Sequence, residues 1–175
     1  RAVHDAARSA GAKYVSLIEE PMAAAIGAGL PVSEATGSMV VDIGGGTAEV
    51  AVLSLGGVVT ANSCRVAGDN FDEAIISYIK KKYNLLIGER TAEDIKINIG
   101  CMYPKSVVER MTVKGRNITT GLPVEIEVST EDTYAALQEC AEKILDGVHQ
   151  VLEETPPELV ADVSERGIYI TGGGG

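Results

Sequence analysis

Apolar and polar positions change period along this chain, and the changes mark out its elements. Ala2 to Ala10 keeps helical spacing and is closed by Gly11. Tyr14 to Ile18 reads as a short strand. Glu20 to Ala28 is alanine-rich and helical, with Pro21 tolerated in the first turn. A loop marked by Gly29, Pro31 and Gly37 precedes three strand candidates: Ser38 to Ile43, Thr47 to Leu53 and Val58 to Val66. Leu55-Gly56-Gly57 suits a hairpin between the last two. In the third strand, alternation puts Val58, Thr60, Asn62, Cys64 and Val66 on one face and Val59, Ala61 and Ser63 on the other.

Helical spacing returns after Asp69, a candidate N-cap for a helix from Phe71 to about Lys82. Phe71, Ile75, Tyr78 and Ile79 form its apolar stripe. Lys80-Lys81-Lys82 lies at its C-terminus, where positive charge is favoured and where a solvated helix end explains it. A shorter helix is expected over Thr91 to Ile99. Val107 to Val113, the polar turn Lys114-Gly115-Arg116-Asn117, and Leu122 to Val128 read as two strands of a small sheet. A long helix runs from about Thr130 to Glu154 and stops at Pro156-Pro157. Gly167 to Thr171 is the last strand. The order is mixed α/β. It divides into a larger discontinuous lobe, 1–84 with 129–175, and a smaller insertion, 85–128.

Composition narrows the class. Apolar residues make up 45% of the 175 residues, enough for a real core. A formal charge of -10 leaves nothing to neutralise a phosphate backbone broadly, so a nucleic-acid partner is not expected. Cys64, Cys101 and Cys140 are widely spaced, which suggests neither a disulfide framework nor a zinc site and fits a reduced, cytoplasmic setting. No signal peptide and no membrane-spanning apolar run is evident. His4 and His149 stand alone and read as ordinary helix residues.

The chemistry concentrates in two glycine runs. Val40-Val41-Asp42-Ile43-Gly44-Gly45-Gly46-Thr47 joins two strand patterns through an acidic residue, three glycines and a hydroxyl. Residues without Cβ let several backbone N–H groups approach an anion, so a phosphate-binding turn is expected, with a plain hairpin turn as the alternative. Thr171-Gly172-Gly173-Gly174-Gly175 follows the last strand, and two such turns suggest a nucleotide held between them. The Walker string GxxxxGK[ST] is absent. In a dinucleotide fingerprint Glu49 would occupy the third glycine's place, and a strand follows instead of a helix.

These strings resemble the actin-like ATPases. Asp42 to Thr47 is similar to their second phosphate motif, Ile168 to Gly174 to their adenosine motif, and Glu19-Glu20-Pro21-Met22-Ala23-Ala24-Ala25-Ile26-Gly27 to their connecting helix. Ser38 to Asp42, Ala74-Ile75-Ile76, Tyr83 to Glu93, Thr120-Gly121-Leu122-Pro123 and Thr155 to Leu159 resemble the MreB-type bacterial actins, over essentially the whole chain.

That resemblance implies an α/β actin-like ATPase (ribonuclease H-like) fold, here a second-domain fragment with a small α+β insertion subdomain. The first domain would precede Arg1 and a final helix would follow Gly175. It implies ATP with Mg²⁺ as cofactors, membrane-associated filaments formed by self-association, and guidance of cell-wall synthesis complexes at the inner face of the membrane. Membrane contact would belong to the missing first domain.

Gly44, Gly45, Gly46 and Thr47 would cradle the β- and γ-phosphates. Asp42 would face Mg²⁺ through water, or else cap the turn. Glu20 would position the attacking water, or simply favour the helix dipole; Glu19 beside it is solvated. Glu93 and Lys96, one helical turn apart, would border adenine and ribose, unless they form an ordinary surface ion pair. Gly172, Gly173, Gly174 and Gly175 would approach the adenosine and α-phosphate. A heat-shock-type chaperone ATPase shares these motifs and is the main alternative, with a sugar kinase as a third.

Overall fold

The computed structural model describes residues 1–104 and 106–175. In chain order its elements are α1 (Ala2–Ser9), α2 (Glu20–Gly27), β1 (Ser38–Ile43), β2 (Ala48–Ser54), β3 (Gly57–Cys64) and α3 (Gly68–Tyr83). Then come β4 (Leu85–Leu86), α4 (Glu89–Ile99), β5 (Arg110–Asn117), β6 (Pro123–Ser129), α5 (Thr130–Glu154), α6 (Pro157–Arg166) and β7 (Ile168–Thr171). The strands make two sheets, ordered β3-β2-β1-β7 and β4-β5-β6. β1 to β3 pair antiparallel, and β7 joins β1 in parallel with Thr171 opposite Asp42.

The near-continuous apolar runs of β1 and β2 follow from burial on both faces. Met39, Val41, Ile43, Val50 and Val52 meet Phe71, Ile75 and Ile79 of α3 and Leu137, Ile144 and Val148 of α5. Val40, Ala51 and Leu53 meet Met22 and Ala25 of α2, with Leu30, on the opposite face. Phe71, Ile75 and Ile79 are each at most 2% exposed. Burying a side chain of that size contributes roughly 1.5–3 kcal/mol. α3 and α5 therefore anchor one face of the sheet and α2 the other.

Several expectations give way. Tyr14 to Ile18 takes no strand conformation, and Tyr14 is 83% exposed. β3 ends at Cys64, short of Val66. A register shift lies between Val52 and Leu53, so Thr60 pairs with Val52 but Val58 with Leu53. The extra residue turns Val58 over to the α2 cluster, while Cys64 and Val66 stay with the larger one. Lys114 to Asn117 is no turn: β5 continues through it, with Val113 buried and Lys114 paired to Glu125 at 2.9 Å. The reversal comes later, where Asn117 Oδ1 accepts from the Thr119 and Thr120 N–H groups. Gly115 is needed within the strand, since a Cβ there would lie 2.6 Å from the Leu86 carbonyl oxygen of β4. α6 is an addition: the proline pair that stops α5 also begins α6, with Pro157 in its first turn.

Asp132 ties the end of α3 to the start of α5. It accepts from the Ser129 N–H at 2.9 Å and the Tyr83 hydroxyl at 2.9 Å, and pairs with Lys82. Burial alone would raise its carboxyl. The Lys82, Ser129 and Tyr83 hydrogen bonds outweigh that and hold it below its ordinary value. The Tyr83 hydroxyl moves the opposite way, raised by burial and by its bond to the carboxylate.

Candidate functional site

α3 begins without a side-chain acceptor at its N-cap, Ala67. Asn70 accepts from the Ala67 N–H at 3.1 Å, and Asp69, expected as the cap, lies inside the first turn. The free N–H groups of the first turn are taken up by the glycine loop. Gly68 N–H donates to the Gly44 carbonyl at 3.0 Å, and Asp69 N–H to the Gly45 carbonyl at 2.8 Å.

This pairing orients the loop. No peptide bond in the described residues is cis. In a trans peptide the C=O and N–H point in opposite directions. With the Gly44 and Gly45 carbonyls turned toward α3, the N–H groups of Gly45 and Gly46 turn away from it. Among the described residues neither donates to a protein acceptor. Gly44 N–H closes the turn onto the Thr47 carbonyl at 2.9 Å. The result is a pair of adjacent outward donors beside a helix N-terminus, a fitting receptor for an anion.

The second glycine run packs against the first. Gly174 N–H donates to the Ile43 carbonyl at 2.9 Å. Gly172 has φ +88, and a Cβ there would sit 2.2 Å from the Ile43 carbonyl oxygen and 2.6 Å from Asp42 Oδ1. Packing thus dictates Gly172. By contrast, a Cβ on Gly46 or Gly173 would meet nothing within 4 Å, and neither needs a positive φ. The fold does not require glycine at these two positions, so the open space beside them is what glycine preserves.

A cavity of about 210 Å³ lies between the loops, lined by Gly44, Gly45, Gly173 and Gly174, with Glu93 and Lys96 of α4 in its wall. An adjoining cavity of about 460 Å³ is lined by Gly173 to Gly175 and by Phe71, Ile97, Met102 and Leu137. Lys96 does not pair with Glu93. Its Nζ donates to Asp72 Oδ2 at 2.9 Å and to the Gly68 carbonyl at 3.1 Å. Asp69 and Asp72 also line the smaller cavity, so its wall holds three carboxylates against one ammonium. An anion entering here is favoured when a cation accompanies it.

Of the expected residues, the structure gathers Gly44, Gly45, Glu93, Lys96, Gly173 and Gly174 around one cavity and Gly175 beside it. Asp42 and Thr47 flank the loop at the ends of β1 and β2. Glu20 does not line either cavity. It is exposed in the first turn of α2, on the sheet face opposite α3. Asp72 and the α3 N-terminus were not expected. Asp72 follows Asp69 at helical spacing, but its lysine lies on another helix.

The MreB/Mbl protein family matches residues 1–175. The cell shape-determining protein MreB of Escherichia coli (strain K12) is 58% identical over 174 residues, covering 99% of this chain and 50% of that protein. The structure of MreB 5 of Spiroplasma citri bound to AMPPNP superimposes with a TM-score of 0.94 at 41% identity, covering 99% of this chain and 52% of that one. The MamK double helical filament shares the fold, with a TM-score of 0.70 at 24% identity over 89% of this chain and 46% of that one. The chain spans about half the length of the curated relatives it matches.

Proposed function

We propose, from the premise that this chain belongs to the MreB/Mbl family and has an actin-like fold, that it carries one wall of an ATP site in a filament-forming protein that directs cell shape. The observation that carries this reading is the outward pair of N–H groups on Gly45 and Gly46, in a loop that lines one cavity together with the second glycine run. Gly44 to Thr47 hold the β- and γ-phosphates, and Gly172 to Gly175 lie along the adenosine and α-phosphate. Glu93 and Lys96 border the ribose and adenine.

Mg²⁺ fits the excess of carboxylates in the wall. Among the described residues no group of three or more His, Cys, Asp and Glu side chains could hold a metal. Asp42, near the end of β1 beside the loop, would hold the ion through water. Bound there, the ion would neutralise charge on the phosphates. Glu20 orients the attacking water once the remainder of the parent closes the cleft. Residues 85–128 act as an inserted subdomain on the lobe formed by 1–84 and 129–175. The parent assembles into filaments at the inner face of the membrane and guides wall-synthesis complexes. Among the described residues no helix is long and apolar enough to cross a membrane.

Gly46→Val tests the loop. Its side chain enters open space within the protein, so the melting temperature stays unchanged while ATP affinity in the full-length chain falls at least a hundredfold. Unchanged affinity by titration calorimetry would remove the loop from the site. Glu20→Ala retains ATP binding, slows phosphate release about a hundredfold, and keeps Mg-ATP-dependent pelleting. Unchanged turnover would take Glu20 out of the mechanism.

A further inference from the structure

We propose that the Thr171 hydroxyl is a positioning group for the cation: with Asp42 it holds the water through which the carboxylate reaches Mg²⁺, and so sets how strongly Mg²⁺ tightens ATP binding. This rests on the nucleotide reading above. Asp42 and Thr171 are the last polar side chains before the two glycine runs. β1 and β7 run parallel, and the two residues are partners in register. Neighbouring strands lie about 4.8 Å apart, and residues in register project to the same face of a sheet. Asp42 alternates with Val41 and Ile43 of the α3 face, so it shares the α2 face with Val40. Thr171 shares that face too.

The carboxylate leans toward β7. A Cβ on Gly172, the residue after Thr171, would stand 2.6 Å from Asp42 Oδ1. Neither side chain is satisfied by the protein around it. Thr171 Oγ1 is buried and has no hydrogen-bond partner among the described residues. Asp42 is half-buried and has neither a hydrogen bond nor an ion pair to its side chain among them. A buried hydroxyl without a partner is costly, and bound water is the usual way such a group is met. The donor set suits one water in particular. A water on a divalent cation turns its oxygen to the ion and keeps two O–H groups to donate. Asp42 accepts one, and Thr171 Oγ1, a hydroxyl that can accept as well as donate, takes the other. Without that hydroxyl the water keeps a single protein partner and is held less firmly. Thr36 Oγ1 supplies a contrast: it too is buried and without a partner among the described residues, but it precedes β1, at the opposite end of the sheet.

The test is titration calorimetry of ATP on the full-length chain, once in Mg²⁺ and once in excess EDTA. The quantity read is the ratio of the two affinities. In Thr171→Val that ratio falls about tenfold, the loss typical of removing an outer partner of a metal ligand, while affinity in EDTA keeps its parent value. Thr171→Ser restores the ratio, and Thr36→Val leaves it at the parent value. The melting temperature of ligand-free Thr171→Val does not fall, because a methyl group of the same shape replaces an unpartnered hydroxyl. In the background of Asp42→Asn, which has already loosened the water, adding Thr171→Val costs less than it does alone. A ratio unchanged in Thr171→Val overturns the proposal, as do equal losses with and without Mg²⁺, which would assign the hydroxyl to the nucleotide or to the fold. A parent that binds ATP equally in Mg²⁺ and EDTA overturns it while the nucleotide reading stands. A parent that binds no ATP overturns both.

Discussion

Helix α3 carries a lysine–aspartate pair at each end, and the two differ in how completely the carboxylate is satisfied. At the C-terminal end, Asp132 is 4% exposed, and both of its oxygens have hydrogen-bond partners: Lys82 and Tyr78 on one, Ser129 and Tyr83 on the other. At the N-terminal end, Asp72 has one oxygen on Lys96 and the other buried with no partner among the described residues. The closed network joins α3, β6 and α5, and none of its residues lines either cavity. The open one stands in the cavity wall between the glycine loops and α4. A complete network fixes structure, whereas an incomplete one keeps polar capacity where a ligand can use it.

Removing each pair should separate these roles. The largest effect on stability is expected from Asp132→Ala, which leaves Lys82 and two tyrosine hydroxyls without their shared acceptor. It should lower unfolding free energy by about 3 kcal/mol, read from the urea midpoint, with nucleotide affinity of the folded fraction unchanged. A comparable loss of affinity would show that the two ends are not independent. Asp72→Asn should reverse the pattern, with about 1 kcal/mol or less in stability beside a measurable loss of ATP affinity in the full-length chain, read by titration calorimetry.

Acid should distinguish the two pairs next. Asp132 is held below its ordinary value of 3.8 in the folded protein. Below that value the unfolded chain binds more protons than the folded one at this site. Its contribution is therefore complete above about pH 4 and is lost as pH falls through the depressed folded value. Stability of the parent should drop across that window, and Asp132→Asn should flatten the drop at lower overall stability. An equally steep acid limb in the variant would assign the sensitivity to another carboxylate. The smallest effect is expected for Lys114→Ala. Lys114 is 81% exposed and its pair with Glu125 lies on the β5–β6 hairpin. Such a pair is screened by solvent, so the melting midpoint should not move measurably.

The elements that were legible in the sequence are those with strong periodicity or marked ends. Apolar runs flanked by glycine located β1 and β2, helical spacing located α3 and α5, and the Asp42 to Thr47 string located the loop. Local polarity misled at Lys114 to Asn117, because a strand with one solvated face can place its charged residues there and still pair on both sides. It was silent about α6, since the proline pair marks a stop and a start equally well. The face of Val58 depended on a bulge, which is a property of two strands and is written in neither alone.

The sequence by itself determined the order of α and β elements, the two glycine runs and the family they belong to. Those features rest on local backbone preference and on strings read along the chain. Tertiary structure alone decided that Lys96 pairs with Asp72 and not with its helical neighbour Glu93, and that the α3 N-terminus takes up the Gly44 and Gly45 carbonyls. Both bring together residues more than twenty positions apart. Only the packing of α3 against the sheet and α4 sets which donor reaches which acceptor, and hence which way the loop's N–H groups face.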